Sequence, residues 1–244
     1  MIAPTIEILA DKSALIDRAY DLTVSLVKEA VASSDRATLA LSGGSTPKPL
    51  YEALAKADLP WEKVYIFWGD ERYVPHDHPK SNALMAKEAW LNRVPIPAEN
   101  IFPMPTSAGD PAADAAQYEK QLKEFFQLAE GELPALDFVL QGMGDDGHTA
   151  SLFPHTDALD VRDRLVTVGN HDGEPRITFT VPLINQGRHV VFLVSGENKQ
   201  TALAHVFSDE ADGHTYPSKL IQPAAGAHWL LDAPAGKGIP DDMK

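Results

Sequence analysis

The stretch LDFVLQGMGDDGHTASLFP, residues 136–154, sets the expectation for both the fold and the site. Its first five residues are apolar except for Asp137, and a short apolar run of this kind predicts a buried strand. Gly142, Gly144 and Gly147 then allow the backbone to turn sharply and to approach a ligand closely. Open α/β sheets bind their ligands in loops that follow the carboxyl ends of strands. We therefore expect the chemistry in this loop.

Asp146 and His148 are the candidate catalytic residues of the loop. Histidine is the side chain that exchanges a proton most readily near neutral pH, and an aspartate two positions earlier could orient its ring. The alternative is a solvated turn with a surface or capping histidine. The clustering of acids, glycines and one histidine directly after an apolar strand favours the catalytic pair.

The same three glycines also fit the G-x-G-x-x-G spacing of a dinucleotide-binding turn. In such a turn the pyrophosphate lies against the glycines and the helix N-terminus, where Asp145 and Asp146 would place two negative charges. Pro154 follows closely and leaves little room for the long helix that the motif requires. We therefore exclude a nucleotide site.

Composition limits the classes of function. The chain has 244 residues, enough for one large α/β domain or two small ones, and no cysteine, which excludes disulfides, thiolate metal sites and a thiol nucleophile. A net charge of −14 argues against nucleic acid and anionic membranes as partners. His76 and His78 lack further metal ligands, so we expect no metal. The N-terminal residues lack a signal-peptide pattern and no apolar run suits a membrane helix, which predicts a cytoplasmic protein.

A second loop, in ATLALSGGSTPKPLYEAL (residues 37–54), is a candidate phosphate site. The run 37–41 predicts a strand, residues 42–45 form a small-residue loop, and Thr46 is expected to cap a helix that begins at Pro47. Backbone N–H groups and hydroxyls at a helix N-terminus suit an anion. Because no G-K-[ST] closes the loop, a phosphate monoester fits better than a triphosphate. A plain strand-turn-helix connection is the alternative.

Three cations follow or open predicted strands. Arg72 lies just after the second strand and beside the phosphate loop, and its planar guanidinium could bind a phosphate. Lys199 follows the buried strand HVVFLV near its carboxyl end. Arg176 opens another strand and is by default a surface charge.

The alternation of strands and helices predicts one doubly wound α/β domain over residues 1–232, with a frayed tail at 233–244. Strands are predicted at 37–41, 64–68, 136–140, 165–168, 176–181, 189–194 and 228–231, and the main helices at 13–33, 47–54, 81–91, 112–130 and 199–206. Residues 165–181 are expected to form an antiparallel excursion from the main sheet, since Ile177, Phe179 and Val181 alternate.

Five stretches together resemble the 6-phosphogluconolactonase family in identity, order and spacing: LSGGSTPKPLYEAL, FWGDERYVPHDHPKSNALMAKEAWL, LDFVLQGMGDDGHTASLFP, FLVSGENKQTAL and HWLLD. The likeness runs from about Leu39 to Asp232. It implies a Rossmann-like, mainly parallel sheet flanked by helices. It also implies hydrolysis of 6-phosphogluconolactone to 6-phosphogluconate, the second step of the oxidative pentose phosphate pathway, by a monomer or homodimer without metal or cofactor.

The resemblance also assigns roles to residues. Asp146 and His148 match the family's D-G-H motif, with His148 as the expected general base. The expected phosphate-binding residues are Ser42, Gly43, Gly44, Ser45, Thr46, Arg72, Lys199 and Arg176, the last by its match to an arginine of the wider superfamily. One departure is His155, where the family usually has a small residue, and we expect it to affect loop shape more than chemistry.

The related glucosamine-6-phosphate deaminases and isomerases are the principal alternative. They resemble this chain at D-G-H but carry a glutamate five residues after the histidine, where this chain has Phe153. Their first D-E is followed by an aromatic residue, where this chain has Arg72. Both differences favour the lactonase. A non-catalytic sugar-phosphate-binding domain is a further alternative, which would have no use for Asp146 and His148.

Overall fold

A parallel sheet forms the centre of the fold in the computed structural model, which describes residues 2–243. Nine strands lie within those residues: β1 (Thr5–Leu9), β2 (Ala37–Leu41), β3 (Val64–Trp68), β4 (Asp70–Arg72), β5 (Phe138–Gln141), β6 (Val166–His171), β7 (Glu174–Phe179), β8 (His189–Val194) and β9 (His228–Asp232). Six of them form one sheet in the order β1-β9-β8-β5-β2-β3, with every neighbouring pair parallel. This confirms the predicted α/β fold with a mainly parallel sheet.

Helices cover this sheet. Seven α-helices lie in the same part of the chain: α1 (Lys12–Ser34), α2 (Lys48–Leu54), α3 (Asn82–Ala89), α4 (Pro111–Phe126), α5 (Val181–Asn185), α6 (Gln200–Val206) and α7 (Ala233–Gly236). All five residues of β2 are buried, so both faces of the sheet are covered there. Between residues 2 and 243, no helix is both long and apolar enough to cross a membrane.

A small antiparallel sheet, in the order β4-β7-β6, projects from the main one. It confirms the antiparallel excursion expected between residues 165 and 181. Asp70–Arg72, which follow β3 after Gly69, form the edge strand β4, which was not predicted. Its register with β7 places Arg72 directly opposite Arg176.

Two predicted boundaries are wrong by one or two residues. Thr46 does not cap α2: Pro47 holds the N-cap position without a side-chain hydrogen bond. Pro47 already has helical dihedrals (φ −78°, ψ −17°) and its carbonyl accepts the N–H of Tyr51, so the helical turn starts one residue later than Thr46 would require. The strand predicted over 176–181 ends at Phe179, because Val181 begins α5.

The chain ends differ more from the sequence-based expectation. The sequence analysis predicts no element before residue 13, whereas Thr5–Leu9 forms β1. The segment predicted to be a frayed tail folds through Met243: the Asp232 carboxylate caps α7 by accepting the N–H of Ala235 at 2.9 Å. Ala235 and Ile239 are buried, so this segment completes the core beside β1 and β9.

Candidate active site

The predicted site residues meet at the carboxyl edge of the main sheet. β5 lies between β2 and β8, so the loops that follow these strands are neighbours, and with β4 and β7 they surround a cavity of about 290 Å³. The cavity is lined by every predicted site residue except Asp146: Ser42, Gly43, Gly44, Ser45, Thr46, Arg72, His148, Arg176 and Lys199. Residues more than 150 positions apart in the sequence therefore face one small space.

Asp146 does not line the cavity but holds the histidine that does. Its Oδ1 lies 2.6 Å from Nδ1 of His148 and also accepts the backbone N–H of His148 at 3.0 Å. Burial alone would raise the pKa of Asp146, but these hydrogen bonds outweigh it and lower the pKa to about 2. The carboxylate thus stays ionised at neutral pH, fixes the ring at Nδ1, and leaves Nε2 for the cavity.

Gly144 makes this side-chain geometry possible. Its N–H donates to the carbonyl of His148 at 2.9 Å, which closes a tight turn. A Cβ on Gly144 would lie 2.2 Å from Nδ1 of His148 and 2.5 Å from Oδ1 of Asp146. Gly147 adopts φ +82°, a conformation that glycine takes without strain. Gly144 is therefore required by the His148–Asp146 pair and Gly147 by the backbone turn, roles that their spacing alone does not reveal.

The cavity is also lined by an arginine pair, Arg72 and Arg176, which are directly paired in the register of β4 and β7. The Nε atoms of both are buried and have no hydrogen-bond partner in residues 2–243. Burial lowers the pKa of Arg176, and the positive charge of Arg72 lowers it further. A bound anion would relieve both effects and use the free donors, so this pair is suited to a phosphate.

Glu71 and Asn82 hold Arg72 in place, and neither was proposed as a site residue from the sequence. The Glu71 carboxylate, whose pKa is raised by burial, accepts N–H groups of Arg72, Asn82 and Ala83 at 2.7–2.8 Å. Asn82 in turn accepts Nη1 of Arg72 at 2.6 Å. The D-E-R motif therefore anchors the N-terminus of α3 as well as presenting an arginine.

The remaining anion donors come from the loops after β2 and β8. Ser42 is fixed by Tyr51, whose hydroxyl accepts the Ser42 N–H at 3.1 Å and donates to the Ser42 carbonyl at 2.7 Å. Lys199 is partly buried and forms no ion pair in the described part of the chain. Its loop is held by Asp232, which accepts the Ser195 hydroxyl at 2.5 Å. These groups add hydroxyl and ammonium donors to the arginine pair.

Two further sequence-based expectations concern the shape of the loop at His155 and the absence of a metal site. His155 has φ +58°, the left-handed conformation that a glycine adopts freely, which explains why a small residue suits this position. Within residues 2–243, no cluster of three or more His, Cys, Asp or Glu side chains could hold a metal ion. His76 instead bonds the carbonyl of Met104 at 2.7 Å.

A parallel α/β sheet whose loops bring cations and an aspartate-bound histidine to one cavity is the arrangement expected of an enzyme that acts on a small phosphorylated molecule. The chain belongs to the family described as glucosamine-6-phosphate isomerases/6-phosphogluconolactonase, whose family profile matches residues 10–230.

Comparisons with individual proteins agree with this assignment. The chain is 61% identical to a 6-phosphogluconolactonase of Nostoc sp. over 232 residues, which cover 95% of this chain and 97% of that protein. It is 57% identical to a 6-phosphogluconolactonase of Synechocystis sp., with 97% and 99% covered. The solved structure of 6-phosphogluconolactonase from Trypanosoma brucei matches with a TM-score of 0.85 at 29% identity and covers 98% of this chain and all of that one.

Proposed function

We propose that this chain hydrolyses 6-phospho-D-glucono-1,5-lactone to 6-phospho-D-gluconate, the second step of the oxidative pentose phosphate pathway. Full-length similarity to proteins that carry this name supports the reaction. The observation that carries the mechanism is the His148–Asp146 pair, which shares one cavity with the arginine pair. A base at one side and anion donors at the other fit a substrate with a lactone carbonyl and a phosphate.

His148 acts as the general base in this proposal. The Nδ1–H of His148 donates to Asp146, which leaves Nε2 free to accept a proton. Nε2 takes this proton from a water molecule while the water oxygen attacks the carbonyl carbon of the lactone. The tetrahedral intermediate then breaks the bond to the ring oxygen, and the imidazolium returns its proton to that oxygen. The product is an open-chain carboxylic acid with a free hydroxyl, and His148 is restored.

Backbone N–H groups of the glycine-rich loop stabilise the negative charge on the carbonyl oxygen. Those of Gly144 and Gly147 already donate within the loop, to His148 and Gly144 respectively. The N–H groups of Met143 and Asp145, two residues that line the cavity, have no such partner in the described chain. We assign the oxyanion to these two donors.

The phosphate binds to the arginine pair, Lys199 and the loop of residues 42–46. This end of the substrate does not react, so its contacts orient the lactone against His148 rather than lower the chemical barrier. We expect Arg72→Ala to raise KM at least tenfold with a smaller change in kcat. Steady-state kinetics check this expectation, and an unchanged KM would remove Arg72 from the phosphate site.

The protein is proposed to act in the cytoplasm, as a monomer or homodimer, on this small molecule alone. Its net charge of −14 supports the absence of nucleic acid and anionic membrane partners. The deaminase alternative is disfavoured because Phe153 is buried and apolar where those enzymes carry a glutamate. A purely binding domain is disfavoured because it would have no use for an oriented histidine.

The test is acid release from freshly generated 6-phosphogluconolactone, compared with the spontaneous opening of the same lactone. Acceleration in proportion to enzyme concentration is the expected result. If the rate equals the spontaneous one while ammonia is released from glucosamine 6-phosphate, the chain is a deaminase. If neither reaction is accelerated but a sugar phosphate binds tightly, it is a binding domain.

A further inference from the structure

Phe153 is a buried residue that packs against two cavity-lining side chains, His148 and Arg176. Its side chain is 5% exposed. The centre of the Phe153 ring lies 4.4 Å from the centre of the His148 ring. It also lies 5.3 Å from the guanidinium carbon of Arg176. The ring of His171 in β6 makes a third contact at 4.5 Å. One aromatic ring therefore touches both the proposed base and one arginine of the anion site.

The backbone around Phe153 is held firmly by the small antiparallel sheet. Ser151 donates its N–H to the Thr178 hydroxyl at 3.2 Å and its own hydroxyl to Asp70 at 2.7 Å. On the other side, the Thr156 hydroxyl donates to the Phe153 carbonyl at 2.8 Å. The position of the aromatic ring is thus set by β4 and β7, the same strands that carry the arginine pair.

Both polar partners of Phe153 are otherwise loosely held. A side-chain hydrogen bond fixes the His148 ring only at Nδ1, about which it can still pivot. The Arg176 side chain makes no hydrogen bond or ion pair with any residue from 2 to 243, and its Nε is buried without a partner. An aromatic face attracts a guanidinium and blocks the swing of an adjacent imidazole.

We propose that Phe153 is a positioning residue that sets the His148 ring and the Arg176 guanidinium at a fixed separation, so that base and phosphate donor match one substrate. This inference rests on the proposed lactone hydrolysis. Phe153 does no chemistry of its own. Its ring supports the Arg176 guanidinium, which has no hydrogen-bond partner in the described chain, and packs against the His148 ring, which Asp146 holds only at Nδ1.

The test compares Phe153→Leu with the matched variant Phe67→Leu. Phe67 is also buried, but its ring stacks on Phe102 at 4.8 Å and packs among phenylalanines rather than against His148 or Arg176. We expect Phe153→Leu to lower kcat about tenfold or more and to raise KM about fivefold, since a misplacement of an ångström or less is costly at a reacting centre. Phe67→Leu should lose stability and change neither constant more than twofold. Phe153→Tyr, which keeps the ring, should stay within about threefold of the wild-type kcat.

A double-mutant cycle separates positioning from general damage to the fold. If Phe153 acts through His148, then Phe153→Leu has no further effect on kcat in a His148→Ala background. Equal losses of kcat in both backgrounds, or equal effects of Phe153→Leu and Phe67→Leu, would overturn the proposal.

Binding of inorganic phosphate, measured by calorimetry, provides a readout that does not depend on turnover. Phe153→Leu should weaken it about fivefold through Arg176, and Phe67→Leu should not. If the wild type fails to open the lactone, the proposed function fails, and this binding comparison still decides whether Phe153 positions Arg176. Equal phosphate affinity in the two variants would refute that role.

Discussion

Gly144→Ala adds one methyl group and removes no functional atom, yet we expect it to disable the site. The added Cβ would lie 2.2 Å from Nδ1 of His148, whereas ordinary contacts begin at 3.4 Å. The imidazole must therefore move by roughly 1 Å, and a displacement of that size at a reacting group costs on the order of 100-fold in rate. We expect kcat to fall by about that factor.

The loss should be local. The displaced atoms are the ends of two side chains, and Gly144 does not have a positive φ, so the backbone can keep its conformation. We expect the free energy of unfolding to change by about 1 kcal/mol or less. The hydrogen bonds that lower the pKa of Asp146 to about 2 would be weakened, so this pKa should rise toward 3.8. Carbon-13 NMR of the carboxyl group measures that change.

Gly69→Ala is the matched control. A Cβ on Gly69 would meet its nearest neighbours at 3.6 Å, an ordinary distance, and Gly69 also has no positive φ. Lactone hydrolysis by the two variants is compared at saturating substrate, with unfolding followed by circular dichroism. If folded Gly144→Ala retains a kcat within twofold of Gly69→Ala, the geometry of the His148–Asp146 pair does not limit the reaction, and the reasoning is refuted.

Two further predictions test the anion site and the pH dependence of stability. In Gly43→Ala the new Cβ would lie 1.9 Å from Oδ1 of Asn82, which accepts a hydrogen bond from Arg72. In Gly69→Ala the new Cβ meets its nearest neighbours only at 3.6 Å, and Gly69 has no positive φ. KM should rise about tenfold more in Gly43→Ala than in Gly69→Ala, and equal KM values would contradict this. The hydrogen bond from Arg18 lowers the pKa of Glu7 below 4.5 in the folded state. The stabilisation of the fold by this ion pair is therefore complete above pH 4.5 and is lost as the pH falls through the lowered pKa. The free energy of unfolding, measured with urea, should be about 1 kcal/mol lower in Glu7→Gln than in the wild type at pH 7, and this difference should shrink toward zero below pH 4. A difference that does not change with pH would exclude the ionic contribution.

The sequence predicts the main sheet and the location of the site well because the relevant signals are local. Buried parallel strands are short apolar runs, and in this chain each is ended by a glycine or a polar residue at the loop that carries function. The carboxyl ends of such strands meet at one edge of a sheet, so the approach of His148, Arg72 and Lys199 to one cavity follows from strand positions alone.

What the sequence did not predict depends on contacts between distant residues. The pairing of Arg72 with Arg176 is a matter of strand register, and the burial of Asn82 beneath Gly43 depends on how α3 packs against the phosphate loop. Neither leaves a periodic or compositional signal. β1 has only five residues, and its parallel partner β9 lies more than 200 positions later in the chain, so its strand character shows only once the sheet is assembled.

The central claim is that His148, oriented by Asp146, is the base that activates water. The most direct measurement is kcat for lactone opening by wild type and His148→Ala, corrected for the spontaneous rate, with the affinity for 6-phosphogluconate measured in parallel. We predict a fall in kcat of roughly 10² to 10⁴ with affinity changed less than about threefold. Equal kcat values in the two proteins, when the variant is folded and binds 6-phosphogluconate normally, would contradict the role of His148 as the base.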